Sequence, residues 1–205
     1  MLAYSWNGCY LGVEGGGAWG HSDQIAGGPL GFGSVTGGGY DVSGGLLGGT
    51  VGCNAQYSRW VFGVEGDMSW VDKSGSTNES AAFTSSSVVG THEFWLGTVR
   101  GRVGWTPFDQ WLIYATGGIA GAGVTATLVT AAGGNFSDSE SRFGWTAGVG
   151  VETMFWRDWS AKLEYLHVDF ASQGYFNPSP TPTTNIRTNV PLTNEIVRAG
   201  VNWHF

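Results

Sequence analysis

Hydrophobic residues recur at every second position in several well-separated stretches of the chain. From residue 60 to residue 70 the even positions carry Trp, Phe, Val, Gly, Met and Trp, whereas the odd positions carry Val, Gly, Glu, Asp and Ser. Segments 91–105 and 142–155 alternate in the same way. A period of two predicts β-strands that have one apolar and one polar face.

Eight such segments can be placed along the chain, at 7–19, 40–55, 60–72, 91–105, 111–126, 142–155, 159–170 and 191–205. Short turns (56–59, 107–110 and 156–158) and long polar connections (20–39, 73–90, 127–141 and 171–190) separate them in turn. Alternation of short turns and long loops is typical of outer-membrane barrels, whose short turns face the periplasm. We therefore predict that residues 1–205 form one all-β domain, a transmembrane eight-stranded antiparallel up-and-down β-barrel. Its termini are expected in the periplasm and its long loops outside the cell.

Tryptophans on the apolar face indicate how this barrel sits in a membrane. Trp60 and Trp70 are ten residues apart, as are Trp95 and Trp105. At a rise of about 3.3 Å per residue and a tilt of about 40°, ten residues span about 25 Å, the height of the apolar band between aromatic girdles. The predicted girdle comprises Trp60, Trp70, Trp95, Trp105, Trp145 and Phe155. A soluble barrel of the lipocalin type would need these side chains inside, and an eight-stranded interior is too narrow for them.

The opposite face carries most of the charged residues of the predicted strands. The parity of the alternation places nine of them inside the barrel: Glu14, Glu65, Asp67, Arg100, Arg102, Glu152, Lys162, Glu164 and Arg198. Five acids and four bases are close to neutral, so we expect them to pair and to plug a narrow lumen. Segment 111–126 is apolar on both faces, and its sides are left unassigned.

Composition narrows the function classes. Charged residues make up only 12% of the chain, with 36 Gly and 11 Trp, which suits an all-β membrane protein. The net charge is −7, with 9 Lys and Arg and no basic run, which argues against nucleic-acid binding. No run approaches 18 apolar residues, so no transmembrane helix is predicted. Residues 1–6 lack the features of a signal peptide, and we expect Met1 to be an engineered or processed start.

The two ends of the barrel carry two further features. Alternation continues to the last residue, and Val201, Trp203 and Phe205 resemble the signal that the barrel-assembly machinery reads. Cys9 opens the first strand and Cys53 closes the second, which puts both near the periplasmic rim. The oxidising compartment allows a disulfide between them. The alternative is a pair of buried or lipid-facing thiols.

Catalytic and metal-binding motifs are weak. His21, His92, His167 and His204 lack ligand spacing, so no metal site is predicted. A lipid deacylase of the barrel type would need a Ser close to its His, but His167 is followed by Val168 and Asp169. No Gly-x-Ser-x-Gly elbow occurs either. We therefore predict that the chain is not an enzyme.

Several motifs resemble a known group of proteins. They are Trp6-Asn-Gly with Tyr10-Leu-Gly, GGLLGGTVG at 44–52, WVFGVEGD at 60–67, GTVRGRVGW at 97–105, WLIYATGG at 111–118, WSAKLEYLHVDF at 159–170 and VRAGVNWHF at 197–205. Together they resemble the small outer-membrane β-barrels of the porin/opacity superfamily, especially the surface-antigen and haemin-binding branch. Cys9 and Cys53 depart from the aromatic residues expected in such strands.

The resemblance implies an outer-membrane barrel with a structural or surface-interaction role. It would be surrounded by lipid and lipopolysaccharide, and a host or surface ligand would bind the four long connections. Binding or uptake of haemin or another small ligand, or a narrow porin, is the alternative. Haemin is the one cofactor that the resemblance suggests.

Overall fold

The computed structural model describes residues 4–27, 35–78, 88–129, 135–170, 174–175, 187–189 and 192–205. Side chains are described for 4–20, 43–71, 95–123, 142–170 and 193–205. The strands are β1 (Gly8–Gly27), β2 (Val35–Tyr57), β3 (Trp60–Asn78), β4 (Val88–Phe108), β5 (Trp111–Val129), β6 (Asn135–Trp156), β7 (Trp159–Phe170), β8 (Gly174–Tyr175), β9 (Arg187–Asn189) and β10 (Leu192–His204).

Eight of these strands close into a barrel. Each of β1 to β7 pairs antiparallel with the next, β7 pairs with β10, and β10 pairs back with β1. The short strands β8 and β9 pair with each other, and β9 also pairs with the far end of β1. The predicted fold class, an eight-stranded antiparallel up-and-down barrel, is confirmed.

Strand register determines the tilt of the barrel. Following Cα partners from Leu11 through the eight strands leads back to β1 at His21, ten residues further along. This offset is about 33 Å along a strand, against about 38 Å across eight strand spacings. Their ratio gives a tilt of about 40°, within the usual range for closed barrels.

The two ends of the barrel differ. Three tight connections, at Ser58–Arg59, Asp109–Gln110 and Arg157–Asp158, lie at one end, which we call the turn end. The start of β1 and the end of β10 lie there too, and the amide of Phe205 donates to the carbonyl of Cys9 at 2.9 Å. The other end is called the loop end.

Strands extend further at the loop end than the apolar pattern indicates. β1 continues to Gly27, β3 to Asn78 and β5 to Val129, while β6 already begins at Asn135. The predicted connections 20–39, 73–90 and 127–141 are therefore too long. Backbone pairing needs no apolar side chain, so the ladder continues after the apolar alternation stops. Within these connections, residues 28–34, 79–87 and 130–134 lie outside the described part of the chain.

The fourth predicted connection, 171–190, contains β8 and β9. Residues 171–173, 176–186 and 190–191 lie outside the described residues. Among the residues that are described, no helix is long and apolar enough to cross a membrane.

Burial alternates along the barrel strands whose side chains are described, and most of the large apolar side chains face outward. On β7 the odd positions from Trp159 are exposed or half-buried, while the even positions from Ser160 are buried. β5 follows the same rule, with Leu112 and Tyr114 inside and Ile113 outside. The structure therefore assigns the inner and outer faces of segment 111–126, which the sequence left unassigned. The interior is polar at mid-height, and the largest apolar surface lies outside.

Candidate functional site

Small residues on the inner wall make room for long side chains. A Cβ added to Gly150 would lie 2.5 Å from the Tyr114 ring, and one added to Gly52 would lie 2.5 Å from Cζ of the Tyr10 ring. Real Cβ atoms do not approach so closely, so these long side chains can lie across the lumen only because their neighbours are glycine. Part of the high glycine content therefore provides space for long side chains inside the barrel.

All nine charged residues that the sequence assigned to the interior are buried there: Glu14, Glu65, Asp67, Arg100, Arg102, Glu152, Lys162, Glu164 and Arg198. They come from β1, β3, β4, β6, β7 and β10, so their contacts cross the barrel from wall to wall. We call these nine side chains the lumenal network.

Arg198 and Arg100 lie at the centre of the lumenal network. Arg198 donates to Asp67 Oδ1 at 2.9 Å, lies 2.7 Å from Glu164 Oε2, and also bonds Glu14. Arg100 donates to Glu164 Oε1 and to Asp67 Oδ2, each at 2.9 Å, and to Glu65. Each guanidinium therefore hydrogen-bonds three carboxylates, two of them shared with the other guanidinium, and Arg198 also lies 3.9 Å from Glu65 Oε1.

Lys162 and Arg102 extend the lumenal network toward the turn end. The Lys162 ammonium lies 3.0 Å from Glu14 Oε2 and 3.3 Å from Glu65 Oε1. Arg102 donates to Glu152 Oε2 at 2.7 Å and to the Tyr10 hydroxyl at 2.7 Å. Its guanidinium carbon lies 4.2 Å from the centre of the Tyr114 ring, a cation–π contact.

Other interior residues were missed by the sequence analysis. Ser160 donates to Glu152 Oε1 at 2.5 Å, and Asn202 donates to the same oxygen at 2.8 Å. Arg142 is buried as well, so among the residues whose side chains are described the interior holds five Lys and Arg against five acids. All three share the inward parity of their strands. Ser160 and Asn202 were missed because only charged residues were assigned to the interior, and Arg142 was missed although it is the first residue of the predicted segment 142–155.

Apolar layers lie on both sides of the lumenal network. On the loop side, ten buried residues form one cluster: Ala18, Leu46, Val71, Leu96, Ala120, Ala122, Leu166, Val168, Phe170 and Ile196. On the turn side, Trp6 is fully buried against Leu112 and Met154. The Trp6 indole donates to the carbonyl of Asp109 at 3.2 Å and meets the His204 ring edge-on at 5.9 Å. The segment before β1 thus enters the turn end of the lumen.

Aromatic residues form two bands on the outer wall. Trp60 is the Cα partner of Trp105, and Trp70 is the Cα partner of Trp95. The six residues assigned to the girdle all point outward, and most are half exposed or more: Trp60, Trp70, Trp95, Trp105, Trp145 and Phe155. Val201, Trp203 and Phe205 also face outward, and the last two rings are 5.4 Å apart.

The two cysteines join the first two strands. Cys9 and Cys53 are direct Cα partners, and their sulfur atoms are bonded at 2.09 Å. Both belong to the outward parity of their strands near the turn end. Of the two alternatives that the sequence left open, the structure contains the disulfide.

The histidines are dispersed. His204 is buried in the lumen, where its Nε2 lies 2.9 Å from Ser160 Oγ. His167 lies on the outer wall, with Nδ1 2.8 Å from Glu195 Oε1. The side chains of His21 and His92 fall outside the described residues. Within the described part of the chain, no group of three or more His, Cys, Asp or Glu could hold a metal ion.

A closed antiparallel barrel with an apolar, aromatic-banded exterior and a charged interior defines an integral outer-membrane barrel protein. Comparison with known families agrees. The chain belongs to the outer membrane protein beta-barrel domain family, whose model matches residues 25–205.

Curated relatives come from the same class. The chain is 29% identical over 226 residues to the 31 kDa outer-membrane immunogenic protein of Brucella melitensis, covering 98% of this chain and 85% of the relative. It is 28% identical over 206 residues to the 25 kDa outer-membrane immunogenic protein of Brucella abortus, covering 98% and 80%. Among solved structures, outer membrane protein OprG from Pseudomonas aeruginosa aligns over all of both chains with a TM-score of 0.54 and 12% identity, which shows a shared fold. The family assignment and the outer-membrane location predicted from the sequence are thereby confirmed.

Proposed function

We propose that this protein is a closed, non-conducting and non-catalytic barrel that acts as a structural and surface-exposed component of the outer membrane. The observation that carries this proposal is the lumenal network, in which two guanidinium groups each join three carboxylates from opposite walls. The apolar cluster on the loop side and Trp6 on the turn side support it, because each adds a layer of buried side chains.

Energetics favour a closed lumen. An eight-stranded barrel is only wide enough for its own side chains to fill. Opening a water path would separate buried ion pairs, and leaving a buried charge unpaired costs about 3–5 kcal/mol. Thermal energy rarely overcomes several such penalties at the same time, so the lumen should stay closed to water.

Conductance in planar bilayers tests this proposal. The folded wild-type protein should show no stable nanosiemens-scale channel. Arg100→Ala should show a small leak, and Arg157→Ala, in an exposed turn, should behave like the wild type. Stable nanosiemens-scale channels from the wild type would overturn the closed barrel and support a porin instead.

For orientation, we propose that the turn end faces the periplasm and the loop end faces outside. Short turns are periplasmic in outer-membrane barrels, and variable binding functions tend to reside on loops held by a rigid scaffold. Relatives named as immunogenic outer-membrane proteins are consistent with a surface role. Any ligand, haemin included, would then meet the connections at the loop end.

The last strand has a further proposed role in assembly. Val201, Trp203 and Phe205 form an outward-facing apolar row that ends at the seam with β1. This row would be read by the barrel-assembly machinery before the seam closes. Phe205→Ala should lower the yield of inserted barrel in cells, while Phe108→Ala should not, although Phe108 is also an exposed Phe at the turn end (72% against 64% for Phe205).

A further inference from the structure

Few side chains face one another across the strand pair of β1 and β2. Residues 10–18 make nine Cα pairs with residues 44–52, and eight of these include a glycine, the exception being Leu11–Val51. Between β7 and β10, in contrast, Gly200 is the one glycine in twelve pairs. Cross-strand side-chain pairs stabilise a particular register, and glycine-rich strands specify theirs weakly. The β1–β2 pairing therefore needs a further determinant of its register.

Backbone geometry alone allows β1 to slip along β2. A slip of two residues keeps every side chain on its own face of the wall, because side chains alternate with a period of two. With the other strand pairings unchanged, it would alter the closing offset of the barrel from ten residues to eight or twelve. These offsets correspond to tilts of about 35° and about 46°, at the limits of the usual range for closed barrels. Closure by itself therefore does not exclude a slipped barrel.

The lumenal network favours the native register, but only after closure. Glu14 is its one member on β1, and it contacts Arg198 on β10 and Lys162 on β7. A slip of two residues would move Glu14 by about 6.6 Å, enough to break both contacts. Within the strand pair, however, Glu14 faces Gly48, and residues 43–57 of β2 carry no charge. Until β10 joins β1, these charges cannot set the register.

The disulfide lies where three strands are aligned. Cys9 is bonded to Cys53 on β2, its direct Cα partner, and its carbonyl accepts the amide of Phe205 at the end of β10 at 2.9 Å. A slip of two residues would bring Val51 or Ala55 opposite Cys9. The two cysteine Cα atoms would then be about 7–8 Å apart, beyond the reach of a disulfide. Of these registers, only the native one permits the bond.

We propose that the Cys9–Cys53 bond forms before the barrel closes and sets the register in which β10 then joins β1. The redox step is a thiol–disulfide exchange. The two cysteine thiols become one disulfide, and the disulfide of an oxidant in the oxidising compartment takes up the two electrons and two protons and becomes two thiols. This role is independent of whether the lumen conducts.

The timing of reduction tests the role on the full-length protein. One sample is reduced with dithiothreitol in urea and then folded into lipid vesicles, while the other is folded oxidised and reduced afterwards. Oxidised glutathione then replaces the reductant, and a maleimide-linked polyethylene glycol shows on gels how many folded molecules have re-formed the bond. A slipped barrel keeps its thiols apart, so this fraction counts the molecules in the native register.

The sample reduced after folding should re-form the bond almost completely, and it controls for access of the oxidant. In the sample reduced before folding, about one third of the folded barrels should do so if the native register and the two registers displaced by two residues form in comparable amounts. Equal re-formation in both samples would show that the register is set without the bond and would overturn the proposal.

Two variants with a relocated disulfide separate this role from the stabilisation that any cross-link provides. Both carry Cys9→Ser and Cys53→Ser and are oxidised before folding. Leu11→Cys with Val51→Cys joins direct outward partners, whereas Leu11→Cys with Gly49→Cys joins residues two positions out of register across a loop of similar length. Gly49 has room for a side chain, since the nearest backbone oxygen would lie 3.6 Å from its Cβ.

The native-register variant should unfold at the urea midpoint of the wild type. The offset variant should unfold at a lower urea concentration or give no folded band on unheated gels, because Glu14 would lie too far from Arg198 and Lys162 to bind them. Equal midpoints for the two variants would mean that the disulfide acts as a cross-link alone, which would also overturn the proposal.

Discussion

Arg100 offers a sharp test of the lumenal network. Its guanidinium contacts Glu65, Asp67 and Glu164, and its side chain is fully buried. Arg100→Ala removes one positive charge from the centre of the barrel and leaves the three carboxylates in place. The stability of the barrel should therefore fall.

The size of the loss follows from what the three carboxylates retain. Arg198 still contacts Asp67 and Glu164, and Lys162 still contacts Glu65 at 3.3 Å. Re-pairing therefore keeps the cost below the sum of three charge-assisted hydrogen bonds, each about 1.5–3 kcal/mol. One partner lost from a buried ionic group typically costs about 3–5 kcal/mol, and we expect Arg100→Ala to fall in this range.

Urea titration in lipid vesicles measures this loss, with tryptophan fluorescence and the band shift on unheated gels as two readouts of unfolding. Arg157→Ala is the matched control, because it removes the same side chain from an exposed turn and should change stability by less than about 0.5 kcal/mol. If both variants unfold at the same urea concentration with the same slope, the lumenal network does not stabilise the barrel, and the reasoning is refuted.

Three further predictions concern the wall, the disulfide and the topology. Lipid-borne quenchers should reduce the fluorescence of a variant whose one tryptophan is Trp70 and spare one with Trp6 alone, because Trp70 is 72% exposed on the wall and Trp6 is fully buried in the lumen; equal quenching would contradict the assigned faces. Cys53→Ser should lower the free energy of unfolding by about 2–4 kcal/mol, since the bond closes a loop over a separation of 44 residues; an unchanged urea midpoint, with the oxidised wild type as control, would count against this role. Protease added to intact cells should cut the connection between β3 and β4, at 79–87, and leave the turn at 109–110 uncut, and the reverse pattern would invert the proposed orientation.

Much of the fold could be predicted because the alternation of inward and outward residues in a barrel wall depends only on neighbouring positions in the sequence. Side chains alternate with a period of two, so Trp60, Phe62 and Val64 had to share one face whatever surrounds them. The same parity placed Arg100 and Glu164 on the inner face. Local alternation does not reveal where pairing stops, which is why β1 and β3 extend beyond the predicted bounds. The contact between His167 and Glu195 was missed because the two residues lie 28 positions apart and meet only through strand register.

The sequence by itself determined the number of barrel strands, the two faces of each strand and their antiparallel up-and-down order, because each depends on residues close along the chain. Only the tertiary structure decided which side chains contact one another across the barrel. Arg198 reaches Glu14 and Asp67 because β10 closes onto β1 with an offset of ten residues around the barrel. Trp6 is a tryptophan like most residues of the girdle, yet it lies inside the barrel. The reason is that it precedes β1 and enters the open end of the lumen. Such contacts follow from closure and tilt, which are properties of the whole barrel rather than of any one strand.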